Sequence, residues 1–238
     1  MQISTKAIVI SKLRYKDNDL IVKCYTAKYG IKSYLLKNIL SSKKRNVRPA
    51  YFQLFSMIEI EADHKENRSL QYIKDVKVYF PTPSIHTHVI KSAIVLFLAE
   101  ITSNIVKEEE QNMELYNFLE TSIKWFETHE VYSNFHFLFL IEFTKYLGFY
   151  PGNDLKAPFF NLLEGKFQNE KTGIYCVSGQ NLTFLKQLLG IKFDGNKKLQ
   201  MSSDQKQEFL DMILHYYKLH LDGFKEPQSL AILNQVFH

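Results

Sequence analysis

The chain has 238 residues, 45% of them hydrophobic and 23% charged, which is enough apolar material for one large domain or two small ones. Its formal net charge of +5 is uneven: residues 1–80 hold 16 Lys+Arg against 7 Asp+Glu, or +9, and the remainder hold 14 against 18, or −4. A basic front and a mildly acidic back point the first part toward a polyanion. The two cysteines, Cys24 and Cys176, exclude a disulfide framework and a four-cysteine zinc site, and fit a reducing cytosol. The start, MQISTKAIVISK, lacks the pattern of a signal peptide, and apolar runs such as 93–99 fall well short of the roughly 20 residues of a membrane span. No membrane association is expected.

The first eighty residues alternate with a period of two. Segments 6–13, 20–27, 31–37, 53–62 and 70–79 are short, rich in β-branched and aromatic residues, and separated by polar stretches. In the fourth, Ile58, Ile60 and Ala62 alternate with Glu59 and Glu61; in the fifth, Leu70, Tyr72, Val76 and Val78 are expected on one face. Five strands with one long connection between the third and fourth fit a small Greek-key barrel of the oligonucleotide-binding (OB) type. The prolines of FPTPS (80–84) end this pattern, with Ser84 placed to cap a helix. Helices are expected over 85–106, 113–129, 134–148, 181–190, 202–223 and 229–237, with a loop or hairpin around 160–180. The fold class is therefore α+β: an OB-type five-stranded barrel at 1–80 and a helical bundle domain at 81–238.

The chain carries no catalytic constellation that local spacing reveals: no G-x-S-x-G, no glycine-rich phosphate loop, no H-E-x-x-H and no paired cysteines. His86 and His88 are two apart at a helix start, where side chains diverge, so joint metal binding is disfavoured. His136 lies in a strongly apolar helix and reads as a satisfied core residue, and the 107–112 run KEEEQN reads as a charged interhelical turn. No enzyme activity, cofactor or metal is expected.

Binding has more support. The long connection, KNILSSKKRNVRP (37–49), carries Lys37, Lys43, Lys44, Arg45 and Arg48 without a carboxylate. Arg14 and Lys16 flank the first turn, Lys23 and Lys32 lie on the second and third strands, and Tyr15, Tyr25, Tyr34 and Tyr51 are interleaved. Cations that follow phosphates beside aromatic faces that stack on bases are what single-strand binding requires. The plainer alternatives are a solvated lysine-rich surface, an OB-fold adaptor for an acidic protein, and an RNA-binding barrel.

The stretch LRYKDNDLIVKCYTAKYG (13–30) resembles the opening hairpin of the bacterial DNA-repair protein RecO family, through Leu13, Arg14, Tyr15, Asp19, Thr26 and Gly30. KNILSSKK (37–44) stands where that family has its basic connection, LGFYP (147–151) is similar to its mid-chain helix end, and SLAILNQVF to its closing helix. The resemblance implies a recombination mediator of the cytoplasm and, during repair, the nucleoid, which is a monomer on its own. Such a protein binds single- and double-stranded DNA and anneals complementary strands. With RecR it helps load RecA onto DNA coated by single-strand-binding protein, whose acidic tail it recognises. Many members carry four cysteines for zinc after the mid-chain helix; this chain has only Cys176 there, so zinc is not expected.

Overall fold

The period-two segments form five strands, β1 (Gln2–Tyr15), β2 (Asp19–Thr26), β3 (Gly30–Leu36), β4 (Met57–Asp63) and β5 (Leu70–Phe80). They close into a barrel in the order β1-β2-β3-β5-β4, antiparallel except where Ser33 and Tyr34 of β3 run parallel to Leu70 and Gln71 of β5. The computed structural model describes residues 1–41, 47–65, 67–107, 110–130, 134–190 and 200–237. These divide into two compact units, Met1–Thr128 and His129–His238.

Strand β1 is longer than its apolar centre suggests because it serves two neighbours: Gln2–Ile8 pairs with β4 and Ala7–Tyr15 with β2. Its register shifts between Val9 and Ser11, and there Val9 bonds backbone to backbone with Phe55 and Ser56. Ala7 and Val9 join Val22, Cys24, Tyr34, Ile58, Ile60 and Val76 in the barrel core. Ile8 and Ile10 are equally buried on the opposite face, where helix α2 (Val89–Ile105) lies against β1. A strand covered on both sides reads as an unbroken apolar run, which accounts for AIVI at 7–10.

Strand β5 departs from the expected face. Ala62 pairs with Ile73 and Glu61 with Asp75, so Lys74 is the extra residue of a bulge. A bulge resets the two-residue alternation. The inward set is Gln71, Ile73, Val76 and Val78, and Tyr72, paired with Asp63, faces the other way.

The β3–β4 connection is stapled at both ends rather than loose. Ile39, Phe52 and Phe55 are buried, Phe52 completely, in a 3-10 turn at Pro49–Phe52. Residues 53–56, expected as the start of a strand, form the turn that meets the β1 shift.

After β5 the chain forms α1 (Pro83–Thr87), α2 and α3 (Met113–Thr128), which belong to the same unit as the barrel. The helix expected over 85–106 is interrupted at His88, whose backbone is extended. Ser84 does not cap it; Thr82 holds that position, and its side chain makes no cap bond to the helix amides. Instead the Glu127 carboxylate of α3 accepts from the Ser84 and Ile85 amides at 2.9 and 3.0 Å. In return, buried Lys91 of α2 donates to the Phe126 and Glu127 carbonyls at 2.8 and 3.2 Å, and to Ser84 Oγ at 2.8 Å. Orphan donors at one helix start and orphan carbonyls at another helix end are thus satisfied by two charged side chains. The chain's one tryptophan, Trp125, is half-buried on α3.

The second unit comprises α4 (Phe135–Leu147), a three-stranded sheet in the order β7-β6-β8 (Lys166–Gln168, Phe159–Asn161, Cys176–Val177), and helices α5 (Gly179–Leu188), α6 (Ser203–His220) and α7 (Leu230–Phe237). The expected loop or hairpin is therefore a small sheet. Gly148 ends α4 at φ 86°, a left-handed turn open to glycine, and Ser202 with Gln205 forms a capping box on α6. The Tyr217 hydroxyl donates to the Leu140 carbonyl at 2.6 Å and that of Tyr216 to Phe149 at 2.5 Å, tying α6 to α4 and to the turn that follows it.

Candidate nucleic-acid interface

The structure brings several nominated cations together along the seam between β3 and β5. At one end, Arg14 and Lys16 flank the β1–β2 turn, where Arg14 donates to the Asp17 carbonyl and the Lys16 ammonium lies 5.4 Å from the Tyr15 ring centre. The start of the long connection is tied to this turn: the Asn38 amide donates to Asp19 Oδ1 at 2.7 Å and the Leu40 amide to the Asn18 carbonyl at 3.0 Å. Lys37 follows directly from β3, and its ammonium sits 5.3 Å from the Tyr72 ring centre. The Arg68 guanidinium lies 5.4 Å from that ring, so Tyr72 is shared by two cations. Lys32 stands at the start of β3, near where β5 begins. Strand alternation puts Lys37 on the face of Tyr72 and Lys32 on that of Tyr34, so Lys37, Tyr72 and Arg68 form a contact group, with Arg14 and Lys16 at the turn beside it.

Other nominated residues are placed differently. The Lys23 ammonium donates to the Ser103 carbonyl at 2.6 Å, at the end of α2, and burial followed by the charge of Lys107 pushes its pKa down. Arg48 is exposed just before the 3-10 turn. Lys43, Lys44 and Arg45 lie outside the described residues. Of the interleaved tyrosines, Tyr25 and Tyr34 are fully buried, Tyr25 stacking on Tyr116 and Tyr34 bonding His64 at 3.0 Å; Tyr51 packs against the core, and Tyr15 is 39% exposed.

The sequence reading passed over Tyr72, Lys65 and Arg68. Alternation alone puts Tyr72 on one face with Val76 and Val78, because the bulge at Lys74 leaves no local mark. Lys65 and Arg68 stand in DHKENRS (63–69), where Asp63 and Glu66 hide the cations from a count of net charge. A search for basic residues in the turns that border the ligand face of an OB barrel would have found them.

Three lysines on the helices are engaged. Lys91 is buried, Lys124 pairs with Glu120 at 3.1 Å, and Lys145 pairs with Glu142 at 2.5 Å. His86 bonds Thr82 at 3.1 Å. Burial pushes the Cys24 thiol up to about 12, which makes it inert. Cys176 Sγ donates to the Thr172 carbonyl at 2.8 Å and accepts from the Thr172 amide at 3.2 Å, so the turn around Cys176 is held by hydrogen bonds. Two cysteines in the whole chain do not make a four-thiolate site, and among the described residues no three His, Cys, Asp or Glu side chains gather to hold a metal. Among them, too, no helix is long and apolar enough to cross a membrane.

Residues 1–81 match the family described as "Recombination protein O N terminal", and residues 86–229 match "Recombination protein O C terminal". The chain belongs to the RecO family. It is 43% identical to the DNA repair protein RecO of Christiangramia forsetii and 44% identical to that of Flavobacterium psychrophilum, over 238 residues and the full length of each chain. It is 34% identical to the RecO of Bacteroides fragilis, over 98% of both chains. RecO proteins are recombination mediators without enzymatic activity, which agrees with the absence of a catalytic motif in the sequence.

Proposed function

We propose that this protein binds single- and double-stranded DNA through the barrel, anneals complementary strands and, with RecR, helps load RecA onto DNA coated by single-strand-binding protein. The sharing of Tyr72 between Lys37 and Arg68, beside the turn that carries Arg14 and Lys16, is the observation that supports this reading most. One strand lies along the seam with its phosphates on these cations, and Lys43, Lys44, Arg45 and Arg48 of the connection complete the field. Lys23 adds to the field from beneath α2 rather than by contact. Bases left facing outward pair with an incoming strand, and phosphate neutralisation lowers the repulsion between the two strands without any covalent step.

In this reading residues 1–80 form the nucleic-acid module, and the helices of 81–238 receive RecR and the acidic tail of the coating protein, in the cytoplasm of a bacterium. With about five cations engaged, log affinity for single strands falls against log salt with a slope on the order of −3 to −4. The test is fluorescence anisotropy with labelled single-stranded DNA and RNA of equal length at several salt concentrations. The variant Lys43→Glu, Lys44→Glu, Arg45→Glu flattens that slope. An unchanged slope in this variant removes the connection from the interface; preference for RNA, or no binding at low salt, replaces the DNA reading with an RNA-binding or adaptor role.

A further inference from the structure

At the Arg68 end of the seam, the β4–β5 connection, the β2–β3 turn and the start of β3 enclose an open cleft of about 890 Å³. Its walls include Tyr29, Lys32, His64, Lys65 and Arg68. The Tyr29 ring meets the His64 imidazole edge-on at 5.3 Å and 68°, and the Tyr34 hydroxyl, 3.0 Å from His64 Nε2, fixes that imidazole from the core side. The connection is braced from within. The carboxamide of Gln71, only 5% exposed, accepts from the Lys65 amide at 2.9 Å and donates to the Lys65 and Arg68 carbonyls at 3.0 and 2.7 Å. A buried amide that makes three bonds to one short connection holds Lys65 and Arg68 in place before any ligand arrives.

The chemistry of this cleft differs from that of the open seam. The contact group on Tyr72 offers cations over one ring, whereas this open concavity sets an aromatic pair among three cations. Its volume falls in the range of sites that enclose one small organic ligand, roughly 300–1,000 Å³. Proteins that bind single strands place unstacked bases against aromatic rings and keep the flanking phosphates on Lys and Arg. We propose that the cleft takes one unpaired nucleotide of a bound DNA strand, its base against Tyr29 and His64 and its flanking phosphates on Lys32, Lys65 and Arg68. The proposal rests on the DNA-binding reading and deepens it: a base held in a duplex cannot enter without leaving its partner, so the cleft reports whether the strand is single.

The experiment uses the full chain and a short oligothymidine carrying one 2-aminopurine, whose emission follows stacking, alongside a duplex of equal length. Binding of the single strand changes the emission, and Tyr29→Leu abolishes that change while affinity falls less than about tenfold, the scale of one base stack. The pair Lys65→Glu, Arg68→Glu lowers single-strand affinity more than duplex affinity and reduces the salt slope by about 2. Both residues are exposed, so this pair keeps the test open even if the half-buried Tyr29 proves necessary for folding. Tight strand binding with emission and slope unchanged in these variants overturns the cleft and leaves the DNA reading intact. Absence of strand binding by the unaltered chain overturns both.

Discussion

At the scale of single residues, charge and burial separate binding groups from structural ones. Lys23 has the type and strand position of a phosphate contact, yet its ammonium is spent on Ser103. Lys23→Met keeps the stem and leaves that carbonyl unpaired, so stability falls by about 1–2 kcal/mol while single-strand affinity changes less than about twofold; urea melts and anisotropy on one preparation check both. His136 is buried as its apolar helix suggests, but it is not a satisfied core residue, because its Nδ1 has no hydrogen-bond partner among the described residues. Burial, then the charge of Lys206, pushes its pKa down to about 3. The folded chain keeps this ring neutral while the unfolded chain protonates it below about 6.5. Stability is therefore intact above that value and declines as pH falls toward 3, by up to about 1.4 kcal/mol per pH unit from this residue. Melts between pH 7 and pH 4 show a shallower decline in His136→Leu than in the unaltered chain.

At the scale of elements, the long connection joins two roles that its sequence runs together. Its cations suggest a solvated loop, whereas Ile39, Phe52 and Phe55 make it part of the barrel core. Phe52→Ala leaves a cavity the size of a ring and costs about 3–5 kcal/mol, read as a lower urea midpoint; below that midpoint the salt slope for DNA is unchanged. Strand number and helix positions were legible, because alternation and helical spacing survive wherever one face is buried. Ile58, Ile60 and Ala62 face the core as their pattern requires, and α3, α4, α6 and α7 lie within a few residues of their expected bounds. Three features were hidden for physical reasons. The bulge at Lys74 turns Tyr72 outward without a glycine or proline to mark it. The start of α1 is satisfied by Glu127, some forty residues away, which no local pattern marks. The 3-10 turn at Pro49–Phe52 is set by where Phe52 must reach. The candidate site was legible as charge and illegible as geometry: Lys37 was found from its neighbours in sequence, but its pairing with Tyr72 needs the closed barrel.

At the scale of the whole molecule, the strand pattern stops at Phe80 and the first family match at residue 81, while the first compact unit runs to Thr128. The extra helices cover Ile8 and Ile10, stack Tyr116 on Tyr25, and bring Glu120 within 2.7 Å of the Tyr79 hydroxyl. A fragment of residues 1–81 exposes that apolar face and is expected to aggregate or melt without cooperativity, whereas residues 1–128 give a single cooperative transition. Calorimetry on the two fragments decides the matter; equal stability would mean that the helices are dispensable to the barrel.

The lone tryptophan gives this division a practical use. Because Trp125 belongs to α3, indole emission excited at the red edge follows only the unit that contains the barrel, and the tyrosine-rich remainder is silent at that wavelength. A denaturation curve recorded this way, laid over one from far-ultraviolet dichroism, separates the loss of one unit from the loss of the other with no label attached to the native chain.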